Sequence, residues 1–164
     1  MRAAVLGLGW WGKRIIRSLA DSEKIKITHA VDLAPASVQV FADEFGVILS
    51  DNVDSVFEDP EVDAIIIALP NSLHEPMVIR AVDAGKQVFC EKPLALDVAS
   101  AKRMLAACET AGVVLGIGHE RRFEPALFEM KQKVDAGVIG KPLHVETNFS
   151  HSIFGSSISG SWRF

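Results

Sequence analysis

Gly7, Gly9 and Gly12 form a G-x-G-x-x-G set directly after the apolar run Ala3-Ala4-Val5-Leu6, and an acid, Asp32, follows the last glycine by about twenty positions, the spacing of a dinucleotide site. In such a turn the first glycine lets the strand bend sharply, the second admits a pyrophosphate to the backbone, and the third lets the next helix sit close to the strand. Phosphates then rest on free N–H groups at the helix start, where the helix dipole favours an anion by up to about 2 kcal/mol. Asp32, at the end of the strand-like run Ile25 to Val31, is placed to accept hydrogen bonds from the adenosine ribose. Its carboxylate repels a 2′-phosphate, and Leu33 and Ala34 offer no cation to receive one, so NAD is expected in preference to NADP.

Three glycines alone are a weak signal; their context strengthens it. A strand precedes them and the amphipathic segment Lys13 to Ala20 follows. Trp10 and Trp11 sit where that helix begins, and the expectation is that one ring lies against the cofactor diphosphate while the other packs into the protein.

The elements that must carry these residues alternate along the chain. Pro35 to Phe45 reads as a helix stopped by Gly46, Val47 to Leu49 as a short strand and Asn52 to Glu58 as a short helix. Asp63 to Leu69 is a continuous β-branched run of the kind that fills a parallel strand covered on both faces, and Pro70 ends it. Helix Ser72 to Ala84, strand Gln87 to Cys90, helix Asp97 to Ala111 and strand Val113 to Ile117 follow, with stops at Gly85 and Gly112. Ser72 and Glu75 read as a capping box for the first of those helices. Right-handed crossovers give an α/β fold, a doubly wound parallel sheet of the Rossmann type with its crevice at the carboxyl ends of the strands. Gly7, Asp32, Pro70, Glu91 and Gly118 all fall at those ends.

From Arg122 the pattern continues as a helix to Ala136, a Gly137 to Pro142 turn, a strand Leu143 to Phe149 and a tail rich in Ser and Gly, read as loop or disorder. The expected division is a dinucleotide-binding domain over 1–120, followed over 121–164 by a linker helix and the incomplete start of a second α+β domain.

Bulk properties exclude several classes. The 164 residues are 49% hydrophobic with net charge −4, enough for a substantial core and without the clustered basic face that nucleic-acid binding needs. No apolar run reaches the length of a membrane span, and the apolar start, interrupted by Lys13 and Arg14, reads as a core strand and not as a signal peptide. Cys90 and Cys108 lack any C-x-x-C or zinc-type grouping, which suits small buried hydrophobes in a reducing cytoplasm.

A second constellation joins the glycine turn. Glu91-Lys92-Pro93 leaves the strand Gln87 to Cys90, and the proline restricts Lys92 to an extended or turn conformation. By itself this is an ordinary strand exit with a solvated lysine. Taken with the glycine turn, with Ala68-Leu69-Pro70-Asn71-Ser72-Leu73-His74 and with Gly118-His119-Glu120-Arg121-Arg122-Phe123-Glu124-Pro125, it closely resembles the Gfo/Idh/MocA oxidoreductase family.

The resemblance implies an NAD(P)-dependent dehydrogenase acting on a hydroxyl or carbonyl of a sugar, inositol or related polyol. It implies that Lys92 works on the substrate oxygen beside the nicotinamide, as stabiliser of an alkoxide or as base. Leu69, Pro70, Asn71 and His74 then border the nicotinamide end, His74 being either a ligand contact or a packing residue. Glu91 contacts either the cofactor or Lys92. His119 and Arg122 border the substrate, or else His119 pairs with Glu120 and the arginines ion-pair or stay solvated. No metal is implied.

Family enzymes are about twice this length, with an open, mostly antiparallel second sheet that forms the substrate pocket and the oligomer interface. Here the chain stops just after what resembles that sheet's first strand, and the family's later aspartate and histidine have no position to occupy. A homo-oligomer through the C-terminal strand region is expected, as is a chain that binds NAD yet turns over poorly. The competing class is a non-catalytic NAD-binding regulatory module, or a subunit completed by a partner chain.

Overall fold

The computed structural model describes residues 1–148 and 150. Its first unit, Met1–Gly118, is built on six parallel strands: β1 (Arg2–Leu6), β2 (Lys26–Val31), β3 (Ile48–Ser50), β4 (Ala64–Ile67), β5 (Gln87–Cys90) and β6 (Leu115–Ile117). They lie in the order β3-β2-β1-β4-β5-β6, the doubly wound arrangement whose direction of winding reverses between β1 and β4.

Side-chain alternation explains why the central strands are apolar throughout. Ala4 and Leu6 of β1, with Ile65 and Ile67 of β4, enter one core; Ala3 and Val5, with Ala64 and Ile66, enter the other. Both faces of these strands therefore exclude water, and successive residues must all be hydrophobic. Helices α1 (Trp10–Leu19) and α2 (Gln39–Phe45) cover the second face through Ile16 and Phe41. The first face is closed by α3 (Asp54–Phe57), α4 (His74–Asp83) and α5 (Val98–Ala111), through Val56, Val78, Ala81, Met104 and Cys108.

Lys86, nearly buried at the start of β5, donates from Nζ to the carbonyls of Asp59 (2.6 Å) and Val62 (2.7 Å). It thereby pins the turn that leads into β4.

Helix boundaries differ from expectation where polar side chains compete with the helix. The single helix expected over 35–45 is a 3-10 turn, Pro35–Ser37, followed by α2, because Asp32 Oδ1 accepts from Ala34 N–H and Ser37 Oγ donates to the Ala34 carbonyl. The capping box is likewise replaced. Asn71–Leu73 form a 3-10 turn that holds Ser72 inside it, α4 starts at His74 with Leu73 at its cap position and no side-chain cap bond, and Glu75 is taken by a different partner.

That partner is Arg103 of α5, whose Nε and Nη2 reach the two Glu75 oxygens at 2.6 and 3.0 Å. Arg103 also donates to Ser100 Oγ, and Asp97 caps α5 by accepting from the Ser100 N–H at 2.8 Å. The Arg103 hydrogen bonds hold the Glu75 carboxyl below its usual range, and the Ser100 backbone and hydroxyl hold Asp97 below its own. A lowered native pKa means that folding favours the ionised carboxylate, so this stabilisation is complete above about pH 5 and drains away as pH falls through the lowered values. Solvent exposure keeps it small. The expected result is that the gap in thermal midpoint between wild type and Arg103→Ala narrows as pH is lowered from about 6 to 3; a gap independent of pH contradicts it.

A second unit begins at His119. It opens with a 3-10 turn, Glu120–Phe123, and Pro125 sets the start of α6 (Pro125–Asp135), three residues later than expected. The expected strand Leu143 to Phe149 is not formed over 143–148. A strand exists through its ladder hydrogen bonds, and no neighbouring strand among the described residues supplies them. Phe149 and the Ser/Gly-rich tail from His151 lie outside the described residues. Among the described residues no helix is long and apolar enough to cross a membrane.

Candidate functional site

At the carboxyl edge of the sheet the hydrogen-bond ladder runs one residue past five of the six strands, all but β3. Asp32 N–H donates to the Ser50 carbonyl, Gly7 to Val31, Ala68 to Leu6, Glu91 to Ile67 and Gly118 to Cys90, all at 2.8 to 3.0 Å. Gly7, Asp32, Glu91 and the approach to Leu69 thus stand in one row, and the loops that leave this row carry the candidate residues.

Gly7 leaves β1 at φ +90°, and a Cβ there would stand 2.7 Å from the Ala68 carbonyl oxygen. Gly12, in the first turn of α1, packs so closely on the turn that a Cβ would overlap the Gly7 carbonyl. Beside Gly9, by contrast, a Cβ would meet nothing within 4 Å. Gly7 and Gly12 close the turn, and Gly9 leaves open space beside it.

Gly9 caps α1 without any side-chain bond, and the first intrahelical bond is Lys13 N–H to the Gly9 carbonyl at 3.1 Å. The N–H groups of Trp10, Trp11 and Gly12 therefore have no intrahelical acceptor. Trp10 is 73% exposed, Trp11 is half-buried with its ring 5.2 Å from that of Trp10, and the Arg14 guanidinium lies 5.8 and 5.9 Å from the two rings. Trp11 Nε1–H is shielded from solvent and has no protein acceptor among the described residues. Such a turn, with free amides, a cation and an unsatisfied donor, suits the diphosphate of a dinucleotide.

Asp32 takes a part that spacing alone did not reveal. Its Oδ2 accepts from Leu8 N–H at 2.8 Å and its Oδ1 from Ala34 N–H at 2.9 Å, so the carboxylate braces the glycine turn from the β2 exit. A carboxylate has about four lone-pair sites, which leaves capacity for ribose hydroxyls.

Beyond β4, Leu69, Pro70 and Asn71 are half-buried, and Asn71 opens the 3-10 turn. His74 is fully buried, with Nδ1 2.9 Å from the Pro93 carbonyl oxygen and Nε2 3.0 Å from that of Leu69. Beyond β5, Glu91 is buried and Lys92 exposed. Glu91 Oε2 accepts from the Lys92 backbone N–H at 3.2 Å, and Lys92 forms no ion pair among the described residues. The Lys92–Pro93 peptide bond is cis.

The seat for the Glu91 carboxylate is Gly118: a Cβ there would lie 2.5 to 2.7 Å from its oxygens. Sequence reading placed Gly118 at the edge but missed this role, since only the parallel pairing of β5 and β6 brings the two exits together. Cys90, buried just before Glu91, has its thiol pushed up to about 12 by burial and by the neighbouring carboxylate, and burial also raises Cys108. Neither sulfur is a nucleophile at neutral pH. His119 and Arg122 belong to the second unit, where both are exposed and the Arg122 N–H donates to the His119 carbonyl at 3.1 Å.

Comparison with known proteins decides the family. A model described as "Oxidoreductase family, NAD-binding Rossmann fold" matches residues 1–119. The chain belongs to the Gfo/Idh/MocA oxidoreductase family. Within it, the chain is 38% identical over 146 residues to scyllo-inositol 2-dehydrogenase (NAD(+)) of Bacillus subtilis, covering 88% of this chain and 43% of that protein. It is 33% identical over 141 residues to 2,7-anhydro-N-acetylneuraminate hydratase of Mediterraneibacter gnavus, covering 86% and 37%. The crystal structure of scyllo-inositol dehydrogenase from Lactobacillus casei with bound NAD(H) and scyllo-inositol superposes with TM-score 0.80 at 28% identity, covering 86% of this chain and 42% of that one. The chain thus spans less than half the length of these Gfo/Idh/MocA relatives.

Proposed function

We propose that this chain is the cofactor-binding and proton-handling part of an NAD-dependent oxidoreductase that moves a hydride between nicotinamide and a hydroxyl or carbonyl of a sugar, inositol or related polyol. The observation that carries this reading is the single row at the carboxyl edge, from which the glycine turn, Asp32 and the Lys92 loop all project. The dehydrogenase names of the relatives support the polyol class. An exposed lysine with no ion pair among the described residues, on the same sheet edge as the glycine turn, favours catalysis over a purely regulatory module.

A bound nicotinamide supplies the hydride acceptor or donor. The amides of Trp10, Trp11 and Gly12 hold the diphosphate, and Asp32 receives the ribose hydroxyls while keeping Leu8 in place. Lys92 Nζ handles the proton on the substrate oxygen. During oxidation that oxygen gives up its proton as the carbinol carbon loses hydride, and during reduction the proton returns. Glu91 orders the Lys92 backbone, and Leu69, Pro70 and Asn71 bound the nicotinamide end.

Calorimetric titration tests the cofactor assignment. NADH is expected to bind more tightly than NADPH, and Asp32→Ala is expected to weaken NADH by about 10- to 100-fold, the loss of one charge-assisted hydrogen-bonding group. Tighter binding of NADPH by the wild type overturns it.

A further inference from the structure

An exposed lysine on a loop positions a proton only if its loop is held, and Lys92 has one brace on its amino side, the 3.2 Å contact of its own N–H with Glu91. The brace on the other side comes from a different element. His74, the first residue of α4, is 0% exposed and reaches the Pro93 carbonyl with Nδ1 and the Leu69 carbonyl with Nε2. One acceptor follows Lys92 by a single residue and the other precedes Pro70 and Asn71, so this ring bridges the loops leaving β4 and β5.

We propose that His74 is a positioning residue that clamps the Lys92–Pro93 loop to the Leu69–Pro70 loop and so fixes where the Lys92 ammonium stands. This rests on the role of Lys92 given above. Carbonyl oxygens only accept, so a neutral ring hydrogen-bonds one loop and packs against the other while an imidazolium bonds both; the hold on Lys92 is the bond to the Pro93 carbonyl. In either form both nitrogens face protein, and His74 acts on a ligand only through the loops it joins. The packing alternative, a histidine that merely fills the core, requires volume but neither hydrogen bond.

The two roles separate through two variants of similar size. In His74→Asn the side-chain amide nitrogen stands near the position of Nδ1 and retains a donor to Pro93; in His74→Gln it stands near Nε2 and retains a donor to Leu69 alone. The full chain is labelled with nitrogen-15, and backbone order parameters are measured for Lys92 and Leu94 without any cofactor. The wild type and His74→Asn are expected near 0.85, about the rigid limit, and His74→Gln below about 0.6. Equal order in both folded variants, or disorder in the Asn variant alone, overturns the clamp.

Carbon-13 reductive methylation gives a second readout, with the Lys92 signal identified by its loss in Lys92→Ala. At saturating NADH this signal is expected to shift in the wild type and His74→Asn, and to lose most of that shift in His74→Gln. A wild-type signal that ignores NADH overturns the placement of Lys92 beside the nicotinamide, while the order parameters still judge the clamp. A full shift in His74→Gln overturns the clamp while leaving Lys92 where it was placed.

Discussion

Replacing Gly12 by alanine is expected to abolish NAD binding and to destabilise the first unit by about 3 kcal/mol, the upper part of the range for forcing atoms into a packed site. The new methyl would overlap the Gly7 carbonyl oxygen, so either α1 or the turn has to move. The turn cannot yield cheaply: Gly7 is bound through its N–H to Val31, and Leu8 through its N–H to Asp32. Displacing α1 instead strips Ile16 from the core beneath it and carries away the free amides proposed to hold the diphosphate. Gly9→Ala is the internal control. Its methyl meets no protein atom, so stability should hold while affinity drops where the methyl intrudes on the diphosphate. Urea unfolding and NADH titration of the two variants check this, and equal stability of Gly12→Ala and Gly9→Ala contradicts it.

Lys92→Ala is expected to lower the rate of hydride transfer by about 10² to 10⁴, the usual contribution of a positioned proton-transfer group, while the diphosphate and ribose contacts remain. The proposed contacts are made from the β1 and β2 exits, and the lysine stands on the β5 exit, so the two proposed functions separate by element. Single-turnover measurements with polyol substrates, with protein in excess and NADH absorbance as the signal, give the rate. Titration gives the affinity. An undiminished rate removes Lys92 from the chemistry, and a parallel collapse of NADH affinity shows a binding role instead.

Much of this was legible in advance because the deciding signals are local. The central run Ala64–Ile67 is apolar at every position since both of its faces are buried, and the glycine turn announces itself by spacing. The stops at Gly46 and Gly112 likewise coincide with the ends of α2 and α5. What escaped depends on contacts between distant segments. Ser72 and Glu75 carry a capping pattern that Arg103 pre-empts from α5, and no window around residue 72 contains that arginine. Sequence leaves His74 between ligand and packing roles because its two acceptors lie on loops that only the parallel pairing of β4 and β5 makes adjacent. The strand expected from Leu143 failed for the opposite reason: its local pattern is adequate, but a strand is a property of a pair.

The order of strands at the edge also sets a length. From Asp32 on the β2 exit to Glu91 on the β5 exit the path crosses β1 and β4, three interstrand spacings or about 14 Å. That gauge is built from main-chain atoms, and side-chain substitutions do not stretch it. A compound occupying both ends must match that span, so a lone base or sugar ring, much shorter than it, serves only one of them.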